Sequence, residues 1–469
     1  MKKSLVWDIY ACLSKKELKS FEQFLASPFF NSRQDLMLLN KVLTRSIQQS
    51  VEAPIKEDIF KAVFPEGPFD DQHWRLTLSR LYKQLETFLA VTSLQNSDES
   101  EKLLITTFRA KKLDRNFTRS LKKVNLQMEQ QTIRNPDYYF TRFQMEYQQY
   151  LSLSETGRSK ALNLEKVEQY LDIAYISTKL RQACFTLSHQ AVYNVVYDSI
   201  LFDDIMALAQ KEPYKSIPPI KLYFSFIILF KTGGIRELEH FKKQLFHQSS
   251  HFTREEFRDI YLLSLNFCIK KINENQPAFF LETLDMYKKG LEMELLFENG
   301  KLSRFTYNNI VAIALRKDDL LWVEHFIHHY KDYLDPSYRT AAFSLNMARL
   351  AFFKKDFKTA LSHLQNADYE DLISHMTAKI LQLKVYFELK ESDSLDSLLQ
   401  SMRVFIQRKK RIGYHYQIWK NILFYVHKIH KINPYDKKAV KILGEEIQKE
   451  TVLPEREWLL EKVREIENY

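Results

Sequence analysis

A chain of 469 residues in which 45% are hydrophobic and 27% charged has enough apolar material for a buried core, which excludes wholesale disorder. Only 8 glycines occur, far below the average usage of about 7%, and that scarcity weighs against hairpin-rich β folds and phosphate-cradling loops. The formal net charge of +10 leaves an anionic partner open without requiring one.

The start, Met1 to Asp8, has the basic residues of a signal peptide, but Asp8 and the charged Lys15-Lys16-Glu17 interrupt the apolar stretch. Three isolated cysteines, Cys12, Cys184 and Cys268, form no CxxC pair and fit a reducing compartment. The longest strongly apolar run, Leu222 to Phe230, is far shorter than the ~20 residues that span a bilayer. The expectation is a cytoplasmic protein without a membrane partner.

Residues 1–96 read as short helices broken at Pro28, Pro54 and the turn from Pro65 to Pro68, closing with a helix from about Asp71 to Thr92. Ser14 and Glu17 fit a capping box, in which each side chain satisfies a free amide at the helix start. A polar linker is expected at 95–100, followed by a long-helix region over 101–211. Asn135-Pro136, Asp335-Pro336 and Asn433-Pro434 each place a capping residue before a proline, which predicts three further helix starts. The segment from Glu212-Pro213 to Pro218-Pro219 predicts a second boundary.

From 220 to 411 the pattern repeats. Leu238, Leu281, Leu320, Phe357 and Leu395 lie 43, 39, 37 and 38 residues apart, each with an apolar partner three positions on: Phe241, Leu284, Val323, Ala360 and Leu398. At seven positions on stand Leu245, Ile327, Leu364 and Met402, with Lys288 as the exception. Such stripes at such a period predict stacked helix pairs, an all-α solenoid. Residues 412–469 are expected to form a basic helical cap.

Over 341–367 the residues resemble the tetratricopeptide repeat. Ala348 stands at the small position of the first helix, and Phe357, Ala360, Leu364 and Ala367 occupy the second-helix signature positions. The wider chain also resembles an uncharacterised family of bacterial cytosolic helical proteins. These resemblances imply a tetratricopeptide-like α-solenoid and leave the activity open.

Candidate chemistry is sparse. No GxGxxG and no GxxxxGK[ST] occurs. His325 and His329 are one helical turn apart, but Phe326 stands where a zinc hydrolase motif needs Glu, so a polar helix face is the simpler reading. His240, His247 and His251 share a stripe without nearby Cys ligands. No catalytic, cofactor or metal residue is assigned. From Arg403 to Gly444 eleven cations face one acid, Asp436, and the aromatics Tyr414, Tyr416, Trp419, Phe424 and Tyr425 interleave with them. Arg403, Arg408, Lys409, Lys410, Arg411, Lys420, Lys428 and Lys431 are therefore candidate contacts to nucleic acid or another polyanion. The opposing reading makes Trp419, Ile422, Val426 and Ile429 a packing stripe and the lysines a solvated cap. Tyr307, Asn308 and Asn309, near the start of a first helix, are candidate groove residues for an extended peptide. The leading expectation is a non-enzymatic scaffold that binds a protein or peptide on the concave face of a solenoid, with polyanion binding second and an enzyme third.

Overall fold

The computed structural model describes residues 4–48, 55–155, 161–193, 195–198, 200–274, 276–317, 320–365, 371–408 and 415–468. Among them are twenty-three α-helices, four short 3-10 turns and a single hairpin of two-residue strands, so the fold is all-α. None of the described helices is long and apolar enough to cross a membrane. The chain divides into two compact units, residues 1–129 with 151–157, and residues 130–150 with 158–469.

In the first unit the helices are α1 (Leu5–Cys12), α2 (Lys15–Ala26), α3 (Gln34–Gln48), α4 (Lys56–Val63), α5 (Asp71–Gln95), α6 (Glu99–Ala110) and α7 (Asp114–Gln130). The Ser14 hydroxyl accepts from the Glu17 amide while the Glu17 carboxylate accepts from the Ser14 amide at 2.8 Å, closing the capping box the sequence announces. Long α5 packs on α1, α2 and α3 and fills their centre with Trp74, Leu81, Leu85 and Phe88. Tyr10 is wholly buried there, and its hydroxyl donates to Asn40 Oδ1 at 2.6 Å, which removes the penalty of burying a phenol. The polar stretch at 95–100 ends α5 and, after a turn at 96–98, opens α6.

The second unit holds α8 (Pro136–Glu155) up to residue 150, a helix started by Asn135, whose side-chain Oδ1 accepts from the Tyr138 amide at 2.9 Å. It continues with α9 (Leu164–Tyr193), α10 (Phe202–Leu208), α11 (Pro218–Thr232), α12 (Ile235–His247), α13 (Arg254–Asn273) and α14 (Ala278–Glu292). Then come α15 (Arg304–Ala314), α16 (Leu320–Tyr330), α17 (Pro336–Phe353), α18 (Phe357–Gln365), α19 (Leu372–Glu388) and α20 (Ser392–Arg408). The last three are α21 (His415–Lys431), α22 (Lys437–Lys449) and α23 (Arg456–Glu467). From α11 to α20 helices pack as consecutive pairs, α11 on α12 through α19 on α20, and α15, α17 and α19 also touch in series.

The apolar stripes explain this packing. Leu238, Phe241 and Leu245 on α12, Val323 and Ile327 on α16, and Leu395, Leu398 and Met402 on α20 are all buried. One anchor is misplaced: Leu281 is 52% exposed, and α14 instead buries Leu284, Tyr287 and Leu291. Lys288, seven residues after Leu281, follows the same outward line, with its ammonium 4.7 Å above the Trp322 ring. Asp335 caps α17 ahead of Pro336 as expected. Asn433 does not start a helix. Its side chain accepts from the Tyr435 amide in a turn, and Asp436 caps α22 by accepting from the Ala439 amide at 3.0 Å.

Ala348 and Ala360 are fully buried where α17 meets α18, the two helices in widest mutual contact, so a small side chain at each lets the backbones approach. Ala367 lies outside the described residues. The hairpin, Phe297–Glu298 paired antiparallel with Lys301–Leu302, turns through Asn299 and Gly300 at φ of 50° and 74°. Asn-Gly is the pair that tolerates two left-handed residues in succession.

Candidate functional site

Helices α13, α15, α17, α19 and α21 turn one face each into a common cavity of about 370 Å³, to which α14 adds Phe280. From α15 and the turn after it come Phe305, Asn309, Ala312 and Arg316, and from α19 come Ile373, Thr377, Ile380 and Lys384. Both sets run i, i+4, i+7, i+11, the spacing of one helical face. Arg349, Phe352 and Phe353 enter from α17, His415, Ile418, Trp419 and Ile422 from α21, and Ile269 and Ile272 from α13. The groove is thus mostly apolar and aromatic, with Phe305 and Phe353 partly open to solvent.

Three cations and one carboxylate interrupt that surface: Arg316, Arg349, Lys384 and Glu455. The Arg349 guanidinium donates to the Asn308 carbonyl at 2.9 Å and to Asn346 Oδ1 at 3.0 Å, which aims the side chain along α17. Arg316 sits 4.5 Å over the Phe280 ring and donates to the Pro454 carbonyl at 2.9 Å. Lys384, on the lining face of α19, lies within 5.1 Å of both the Phe352 and Trp458 rings and bonds Glu455 Oε2 at 2.7 Å. Pro454 and Glu455 belong to the connector between α22 and α23, so a C-terminal segment of the same chain closes part of the groove.

Burial alone would push the Glu455 carboxyl up, but the charges of Lys384 and Arg316, the Lys384 hydrogen bond and the more distant Arg349 outweigh it and hold the pKa below the ordinary value of 4.5. A carboxyl depressed on folding stabilises the native state above its unfolded pKa, and that contribution is lost as pH falls through the folded value. Glu455→Gln is therefore expected to flatten the acid limb of a urea-stability profile taken from about pH 6 down to about pH 3. Parallel profiles for the two proteins would show that the carboxylate contributes nothing there.

Three contacts from α19 hold α23 in place beside this connector. Glu388 on α19 accepts from the Trp458 indole N–H at 2.8 Å and from the Lys462 ammonium, whose side chain is only 4% exposed. Phe387 meets the Trp458 ring edge-on, with centroids 5.6 Å apart.

The residues singled out in the sequence fall unevenly on this geometry. Tyr307 and Asn308 do not line this cavity. Tyr307 is buried and donates to the Ile327 carbonyl at 2.6 Å, while Asn308 is buried and accepts from Asn346 Nδ2 at 2.6 Å. Both lie on the face of α15 that meets its neighbours, a rotation of about 100° per residue away from the lining face. Asn309 lines the cavity and is hydrogen-bonded to the Tyr287 hydroxyl.

In the basic region Arg403, Arg408 and Lys420 are exposed on α20 and α21. Lys428 pairs with Glu446, and Lys431 with Asp396, each at 2.7 Å. Lys409, Lys410 and Arg411 lie outside the described residues. Trp419, Ile422, Val426 and Ile429 are all buried, so the aromatic and aliphatic stripe of α21 is core. Arg316, Arg349, Lys384 and Glu455 were not anticipated. The signal available for Lys384 was a cation in the apolar run Ile380-Leu381-Gln382-Leu383-Lys384-Val385.

His325 and His329 stack with ring centroids 5.6 Å apart, and His251 Nδ1 lies 3.0 Å from the Thr132 carbonyl. Among the described residues no group of three or more His, Cys, Asp or Glu side chains is gathered as a metal site. Cys184 and Cys268 are wholly buried. Burial pushes the Cys184 thiol well above its usual range and that of Cys268 up to about 12. Thiol titration of the native protein is expected to show one fast-reacting cysteine, the exposed Cys12, and two more only after denaturation. Two fast thiols would show that a buried site opens readily.

Compared with family models, curated proteins and solved structures, the chain finds no match.

Proposed function

We propose that the helix pairs from α11 to α20 form a tetratricopeptide-like solenoid, that α21, α22 and α23 cap it, and that the protein is a non-enzymatic scaffold binding a protein or peptide segment along the inner face. The supporting observation is the common cavity lined by α13, α15, α17, α19 and α21 in turn, each giving residues at helical spacing. A stacked array buries each pair against the next and leaves the first helices facing one channel. Its mixture of open aromatic rings and cations suits a side-chain-rich ligand, since aromatics and Arg carry most of the affinity at protein interfaces. Polyanion binding through 403–441 has less support, because Lys428 and Lys431 already hold carboxylate partners.

Site-directed photocrosslinking in cells of origin tests the reading. A benzophenone side chain at Phe305 or Phe353 is expected to capture the same partner, and one at Leu321, exposed on the second helix α16, to capture none of it. Equal capture from all three positions would place binding elsewhere.

A further inference from the structure

The groove carries more cationic than anionic side chains, and its one carboxylate comes from the chain's own C-terminal connector. Among the described residues Arg316, Arg349 and Lys384 line the cavity as cations and Glu455 is the one Asp or Glu side chain there. Arg316 holds the Pro454 carbonyl and Lys384 holds the Glu455 carboxylate, so the connector is seated by backbone and side chain together. This is how an extended ligand with an acidic residue would be held, with main-chain carbonyl and carboxylate each meeting a cation. The flanking surface is apolar: Phe352 lies beneath Lys384, and Phe305 and Phe353 remain partly open to solvent.

Resting on the scaffold reading above, we infer that the groove takes an acidic peptide segment with apolar flanks, and that residues 450–456, through Glu455, occupy its anion subsite as an internal competitor. Two features set the chemistry of the occupant. The contacts of Lys384 and Arg316 to the connector's carboxylate and carbonyl call for an occupant that brings a carboxylate of its own, and the aromatic lining calls for large apolar neighbours. The internal segment lowers apparent affinity by the fraction of time the subsite is filled, so a ligand must carry the same charge to displace it. Affinity for acidic ligands is therefore set by how firmly α23 holds the connector, and loosening that helix exposes the subsite.

The test uses the full chain and a fluorescein-labelled peptide copying residues 450–457, beside a second peptide with Gln in place of Glu455. In fluorescence polarisation, Glu455→Gln protein is expected to bind the glutamate peptide at least about tenfold more tightly than wild type. The glutamine peptide should bind neither protein measurably. Glu455→Asp keeps the competing charge and should resemble wild type. Adding Arg316→Glu, a change at an exposed position, to Glu455→Gln should abolish binding. Equal affinity of the two peptides for Glu455→Gln, or binding undiminished by Arg316→Glu, overturns the inference. So does displacement of the peptide by an equal concentration of single-stranded oligonucleotide, which would assign the cations to phosphate. If these peptides fail while Phe305 and Phe353 still crosslink a common partner, the acidic-occupant inference falls and the scaffold reading stands.

Discussion

Trp458→Ala is expected to lower stability by about 3–5 kcal/mol, the range for removing a buried aromatic side chain. The indole packs edge-on against Phe387, lies under the Lys384 ammonium at 5.1 Å, and donates its N–H to Glu388. Truncation leaves Glu388 with Lys462 as its remaining ion-pair partner and a void between α19 and α23. Trp458→Phe keeps most of the packing and loses the N–H, so a smaller loss of about 1 kcal/mol is expected from it. Urea unfolding followed by far-ultraviolet circular dichroism measures both. Because α23 begins at Arg456, directly after the connector, its loosening should also free residues 450–456 from the groove. Limited proteolysis of Trp458→Ala should then cut within that segment under conditions that leave wild type intact. An unchanged unfolding midpoint and digestion pattern would mean that the C-terminal pair is held by other contacts.

The legible parts of this chain are those where one local rule acts alone. Ser14 and Glu17 announce a capping box because both partners sit within one helical turn. Ala348 and Ala360 mark a close helix crossing because only a small side chain fits there. Leu281 misled because an apolar residue at the right interval is indistinguishable in sequence from its neighbour Leu284, and Lys288 two turns on was the warning. Tyr307 and Asn308 misled for a related reason. Near a helix start, polar residues on adjacent faces look alike, and which face meets a neighbour depends on α17, some forty residues away.

The groove itself was less legible still. Arg316 meets Pro454 across 138 positions and Lys384 meets Glu455 across 71, distances over which a single sequence carries no pairing signal. The charge pattern over 403–444 has partners of the same long-range kind. Asp396 and Glu446, which pair with Lys431 and Lys428, stand on either side of that stretch. The Asn299-Gly300 hairpin was not among the elements expected, although its two turn residues are of the type that closes one.

Asn346→Ala is expected to cost about 2–3 kcal/mol, more than its size suggests, because it breaks a buried polar junction between α15 and α17. Asn346 is wholly buried. Its amide donates to Asn308 Oδ1 at 2.6 Å and to the Ala342 carbonyl at 2.8 Å, and its carbonyl oxygen accepts from Arg349. Cutting it to alanine strands the Asn308 oxygen in the interior, and a stranded buried acceptor is costlier than the bond it lost was favourable. The double variant Asn308→Ala with Asn346→Ala removes both partners, so its loss should fall short of the sum of the singles by about 1 kcal/mol or more. Strict additivity in a urea-denaturation cycle would show that the two amides act independently. The same junction bears on the groove. Arg349 is oriented by Asn346 Oδ1 and by the Asn308 carbonyl, and the first of these disappears in Asn346→Ala. In a Glu455→Gln background, Asn346→Ala should therefore weaken binding of the 450–457 peptide even where the protein remains folded, whereas Ala substitution of the exposed Leu321 should not. A buried amide pair that served packing alone would leave that affinity unchanged.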